Sequence, residues 1–105
     1  MTITTHVLDT ARGRPAAGVA TVLEREAGDG WERVGSAATD ADGRVPGFDA
    51  AGAGRFRLTF DTGGYLGAAA FYPRVTIEFR VAAGAEHYHV PLLLSPFGYS
   101  TYRGS

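Results

Sequence analysis

The side chains of this sequence best suited to chemistry are three histidines, one arginine after a turn, and a polar final segment. His87 and His89 sit two apart in His87-Tyr88-His89-Val90-Pro91-Leu92-Leu93-Leu94. On a strand, both rings would project from one face. His6 lies in an earlier extended stretch. Three histidines could hold zinc with an open fourth position, as a metal hydrolase requires. The alternative needs no metal, because an imidazole titrating near neutrality can take a proton from water. His89 is the better base, since Val90 to Leu94 should bury the strand around it. His87 reads as a solvent-exposed or locally hydrogen-bonded ring. Arg44 follows the Asp42-Gly43 turn and could bind an anion or a developing oxyanion. Taken alone, it reads as a surface arginine, as most of the ten must be. The end of the sequence, Tyr102-Arg103-Gly104-Ser105, reads alone as an edge strand with a polar end. Yet Ser95 to Ser105 also carries Phe97, Tyr99 and Tyr102, which a solvated terminus has little reason to hold.

Composition removes most other chemistries. The chain has 105 residues and no Cys, Lys, Asn or Gln. Thiolate nucleophiles, disulfides, lysine Schiff bases and phosphate-binding loops that depend on lysine are excluded. There is no serine nucleophile elbow and no glycine-rich dinucleotide fingerprint. Asp40 and Asp42 are too sparse for a calcium loop. The formal net charge of -1 leaves no electrostatic footprint for nucleic acid. No apolar run approaches the roughly 18 residues of a membrane span, and no leader is visible at Met1 to His6. These features set the expectation of a cytoplasmic protein with no nucleic-acid or membrane partner.

The elements that must position these residues are strands. Residues 74–80 alternate, with Val75, Ile77 and Phe79 facing a core and Arg74, Thr76, Glu78 and Arg80 facing water. Residues 55–61 repeat the pattern with Phe56, Leu58 and Phe60 inward. Residues 87–94 place Tyr88, Val90, Leu92 and Leu94 on one face, with His87 and His89 on the other. Further strands are expected at 3–9, 18–26 and 31–38, the last two joined by a hairpin turn at Gly28-Asp29-Gly30. Turns are expected at Asp40 to Gly43 and Ala83 to Ala85. The one helix candidate, at 62–69, is weakened by Gly63, Gly64 and Gly67. Seven or eight short strands in one domain over 1–105 predict an all-β sandwich. A chain this long can bury about 60–70% of its unfolded surface.

Three blocks carry a resemblance. The opening Ile3-Thr4-Thr5-His6-Val7-Leu8-Asp9, with Arg12-Gly13-Arg14-Pro15-Ala16, resembles the start of the transthyretin-related proteins. Phe71-Tyr72-Pro73 and the run from His87 to Pro96 are similar to the same family. The ending Tyr99-Ser100-Thr101-Tyr102-Arg103-Gly104-Ser105 resembles its 5-hydroxyisourate-hydrolysing branch, as against the hormone-carrier branch. The resemblance spans essentially the whole chain. It implies a transthyretin-like (prealbumin-like) β-sandwich of two four-stranded sheets with one short helix. It also implies a homotetramer with active sites at the dimer–dimer interface. The implied reaction is hydrolysis of the lactam of 5-hydroxyisourate to 2-oxo-4-hydroxy-4-carboxy-5-ureidoimidazoline in urate degradation, without a cofactor or a metal. By matching motifs, His6, Arg44 and His89 fall at the family's catalytic positions. Tyr102 and Ser105, with His6 and Arg44, fall at its substrate-binding positions.

On this reading a histidine, His89 by preference, is the general base. His6 orients it or shuttles a proton, and Arg44 stabilises the oxyanion. Tyr102 and Ser105 wall the pocket, and His87 stays outside the catalytic set. Three alternatives remain at this point: a non-catalytic small-ligand carrier of the same fold, a zinc hydrolase built on the histidines, and a structural sandwich module.

Overall fold

The computed structural model describes all 105 residues, Met1–Ser105. Its first layer is one antiparallel sheet of four strands in the order β5-β4-β7-β8, namely β4 (Ala20–Ala27), β5 (Gly30–Ala38), β7 (Gly54–Phe60) and β8 (Val75–Val81). The period-two pattern explains it. Leu23, Phe56, Leu58, Phe60, Val75 and Val81 are buried on one face. On the other face Arg55 pairs with Glu26 and Glu78, and Arg57 with Glu24. Gly28, at φ 60°, makes the two-residue hairpin turn between β4 and β5, where Ala27 faces Gly30.

The second layer departs from a simple four-stranded sheet. It is a three-stranded sheet, β6-β1-β9, followed by a four-stranded one, β11-β10-β2-β3. The expected strand at 3–9 is divided into β1 (Thr2–Thr4) and β2 (Val7–Asp9), and that at 87–94 into β9 (His87–His89) and β10 (Leu92–Ser95). The short pairs β3 (Arg14–Pro15) and β6 (Phe48–Asp49) and the edge strand β11 (Gly98–Thr101) complete it. The parallel register nevertheless runs straight through: Thr2 faces His87, Thr4 faces His89 and Val7 faces Leu92. Hydrogen bonds from Val90 N to Thr4 O and from Leu92 N to His6 O, both 2.9 Å, bridge the gap. Pro91 accounts for the break on its other side. Leu92 pairs with Thr101 and His89 with Gly104 in one continuing register. Between them Pro91 has no N–H to offer the tail.

Side chains from both layers make one core, with Ile3, Val7, Leu92 and Leu94 of the second layer fully or almost fully buried against the first. Each such side chain contributes roughly 1.5–3 kcal/mol. The helix α1 (Thr62–Leu66), continued by a 3₁₀ turn at Gly67–Ala69, matches the expected 62–69. Asp61 caps it by accepting from Gly64 N at 3.0 Å. Tyr65 fastens it to β2 by donating to the buried Asp9 Oδ2 at 2.7 Å. Ile77 and Phe79 face inward as expected but are only half-buried. They line an apolar groove of about 570 Å³ with Tyr88, Val90 and Tyr102, because β8 is the outermost strand of its sheet. No helix is long and apolar enough to cross a membrane.

Candidate active site

The parallel pairing of β1 with β9 brings the two ends of the sequence together. Thr4, His87 and His89 occupy the outward face, while Ile3 and Tyr88 between them point into the core. The Thr4 hydroxyl lies between the two rings, with Oγ1 2.8 Å from His87 Nε2 and 2.8 Å from His89 Nδ1. The rings stack with centroids 6.3 Å apart. His87 is exposed and His89 half-buried. Burial and the charges of Arg44, His87 and His6 push the His89 pKa below its ordinary value, against an opposing pull from the Thr4 backbone. The shift favours the neutral ring, the form able to accept a proton.

Arg44 is held by a turn that the sequence makes rigid. Asp40 Oδ1 accepts from Asp42 N at 2.8 Å and from Arg44 N at 3.0 Å. Asp40 O accepts from Gly43 N at 2.9 Å, and Gly43 O accepts from Val7 N at 2.8 Å. Gly43 is buried at φ 75°, and a Cβ there would lie 2.3 Å from Val7 O, so only glycine lets the turn dock on β2. An isolated bridge then sets Arg44 beside His6. The ion pairs of the protein involve Arg12, Arg55 and Arg57, so the Arg44 guanidinium is free of any carboxylate partner.

The tail closes the site from the other side. Gly104 N donates to His89 O at 2.8 Å, and Arg103 lies over the Tyr88 ring at 4.7 Å. A Cβ on Gly104 would fall 2.5 Å from His89 Cδ2, so the tail crosses the imidazole where only glycine fits. The result is an open, mostly polar hollow of about 400 Å³ lined by Thr4, Thr5, Arg44, Val45, His87, His89 and Ser105.

Arg44, His89 and Ser105 thus share one hollow. His6 is bridged to Arg44 through the backbone and its charge bears on His89, but its ring is not part of the lining. Tyr102 lines the apolar groove instead and is 58% exposed. His87 and Thr4 line the hollow although sequence reasoning set the first aside and did not consider the second. Their signal was the His-x-His spacing combined with a strand register. No group of three His, Asp or Glu side chains converges as a metal-ligand set.

A model of the HIUase/Transthyretin family matches residues 3–104. The chain belongs to that family. Within it, the 5-hydroxyisourate hydrolase of Salmonella typhimurium is 44% identical over 98% of this chain and 80% of its own length. The 5-hydroxyisourate hydrolase 2 of Rhizobium meliloti is 47% identical over 98% and 95%. Among solved structures, the Klebsiella pneumoniae 5-hydroxyisourate hydrolase superposes with a TM-score of 0.86 at 41% identity, covering 99% of this chain and 98% of that one. Sea bream transthyretin in complex with thyroxine gives 0.90 at 32%, covering 97% and 93%. The transthyretin-like β-sandwich is common to both, so backbone shape does not separate the family's branches. Sequence identity does, and it favours the hydrolases.

Proposed function

We propose that this chain hydrolyses 5-hydroxyisourate in urate degradation. The observation that carries the reading is His89 and an Arg44 without a carboxylate partner lining one polar hollow, in a chain 41–48% identical to proteins named 5-hydroxyisourate hydrolase. His89 Nε2 takes a proton from water, and the water oxygen attacks the ring lactam carbonyl. Arg44 holds the oxygen as negative charge develops on it. The proton then goes to the ring nitrogen as the C–N bond breaks. His6 orients this arrangement from beside Arg44, and Ser105 walls the hollow.

Assembly belongs to the same reading. The outermost strands β8 and β11 leave backbone edges unpaired, which isolated sandwiches must cover. We assign their cover to like edges of a second copy, and the hollow face to contact between two such dimers in a homotetramer. Tyr102, on the groove beside those edges, then contributes to a site from across an interface.

The test uses 5-hydroxyisourate generated in the cuvette from urate, with a chelator present, followed by circular dichroism. The expected result is rapid substrate loss with a handed product. Decay no faster than the blank by a folded oligomer would leave the carrier reading, which the likeness to thyroxine-bound transthyretin supports. Activity lost only on prolonged chelation would favour the histidine-zinc reading.

A further inference from the structure

We propose that Thr4 and His87 are positioning residues that set the tautomer of His89 and move its proton, in a relay from His89 Nδ1 through Thr4 Oγ1 to His87 Nε2. The proposal rests on the hydrolase reading above; the two short contacts of Thr4 Oγ1 do not.

The geometry restricts the protons. A hydroxyl carries one proton, yet Thr4 Oγ1 is 2.8 Å from a ring nitrogen on each side. It donates to one ring and accepts from the other, or else donates elsewhere and accepts from both. Elsewhere means Tyr88 O at 3.5 Å, a long contact beside the two short ones. Of the two remaining arrangements, only the one with the proton on His89 Nδ1 leaves His89 Nε2 free for the general-base role assigned above. His89 therefore carries its proton on Nδ1 and donates to Thr4, and Thr4 donates to His87 Nε2. His89 Nε2 is left bare, as a general base requires, and His87 holds its own proton on Nδ1.

The same chain serves the reaction. When water gives a proton to His89 Nε2, an imidazolium forms on a half-buried ring where burial and the charges of Arg44 and His6 oppose it. The Nδ1 proton passes to Thr4 Oγ1, and the Thr4 proton passes to His87 Nε2. The positive charge then rests on His87, the less buried of the two rings. His89 is now neutral and protonated on Nε2, the form that can give a proton to the leaving nitrogen. As it does so the relay runs backward, His87 returns its proton, and the starting tautomer is restored. One proton enters and one leaves per turnover. On the tail side Gly104 bridges to His89 through the backbone, Ser105 lines the same hollow, and Arg103 is drawn onto the Tyr88 ring.

The experiment reads the ring nitrogens of His89 by long-range ¹⁵N–¹H NMR in the unliganded protein near pH 7, alongside kinetics. We expect the Nδ1–H tautomer in wild type and in Thr4→Ser, and its loss in Thr4→Val. We expect kcat to fall roughly 10–100-fold in Thr4→Val and in His87→Gln with KM nearly unchanged, and Thr4→Ser to recover most of it. The double variant Thr4→Val/His87→Gln should be no worse than the worse single. His87 is exposed, so its substitution tests the relay even if Thr4→Val unfolds the strand. An Nε2–H tautomer in wild type overturns the proposal, as do additive losses in the double variant. An Nδ1–H tautomer dependent on Thr4, in a protein with no hydrolase activity, would retain the positioning and reject the hydrolase reading.

Discussion

The two layers of the sandwich solve opposite problems. In the sheet β5-β4-β7-β8 the ladders are unbroken apart from one slip at Leu23/Glu24. Part of its outer charge is paired within the sheet: Arg55 with Glu26 at 2.8 Å, Arg57 with Glu24 at 2.8 Å and with the Trp31 face at 4.3 Å. In the second layer the ladders are interrupted at Thr5-His6 and Val90-Pro91. There Arg44 has no carboxylate, and the imidazoles meet a hydroxyl instead of an acid. A paired arginine is stable and inert, whereas one held by its backbone and left without a counterion is ready for an oxyanion. Regularity in one layer provides the rigidity on which irregularity in the other can be useful.

That contrast can be broken most severely at His89. His89→Asn should lower kcat by about 10²–10⁴-fold, while the urea midpoint stays close to wild type. A large loss of stability with normal turnover would reverse the assignment of roles. Leu58→Ala, in the regular layer, should do the opposite. It removes a fully buried side chain and should cost about 2–5 kcal/mol in denaturant unfolding, with turnover per folded molecule preserved.

A subtler separation comes from pH. The base works when neutral, so activity should fall as pH drops through the His89 pKa, which lies below the ordinary histidine value. After burial, Arg44 is the largest contributor to that depression. Arg44→Gln should therefore raise the His89 pKa and move the acid limb of kcat/KM to higher pH, beyond the loss of its oxyanion contact. An unmoved limb would mean that the base is another group. The smallest effect is expected at the paired charges of the regular layer. Glu24→Gln should change stability by no more than about 1 kcal/mol, measured by thermal unfolding, and leave the pH profile alone.

What could be read from the sequence follows the same division. Strands β7 and β8 were legible because Phe56-Leu58-Phe60 and Val75-Ile77-Phe79 alternate without exception. The turn at Asp40 to Gly43 was legible from its residue types. The interruptions were not, since alternation continues through Thr5-His6 and Val90-Pro91 and only the missing Pro91 N–H betrays one of them. His89 was singled out by the strand around it, Arg44 and Ser105 were reached through family motifs, and the fold brings the three to one hollow. Thr4 required knowing that residue 4 faces residue 89, a tertiary fact with no local signature, and His87, visible as half of His-x-His, took on a part only through that contact. Tyr102 shows the converse: a motif neighbour of Ser105 in sequence, it lies in a different groove.

The pairing of β1 with β9 also has a kinetic meaning. Its contacts join residues about 85 positions apart, whereas β4 and β5 meet across a two-residue turn. Closing the long loop costs chain entropy before any contact rewards it. The hairpins should therefore form first, and the histidine face should assemble last. Substitutions in the β4–β5 hairpin should slow refolding, while those at Ile3 should mainly hasten unfolding, as stopped-flow measurements of both limbs would show. A partly folded chain would then hold most of its first layer and none of its chemistry.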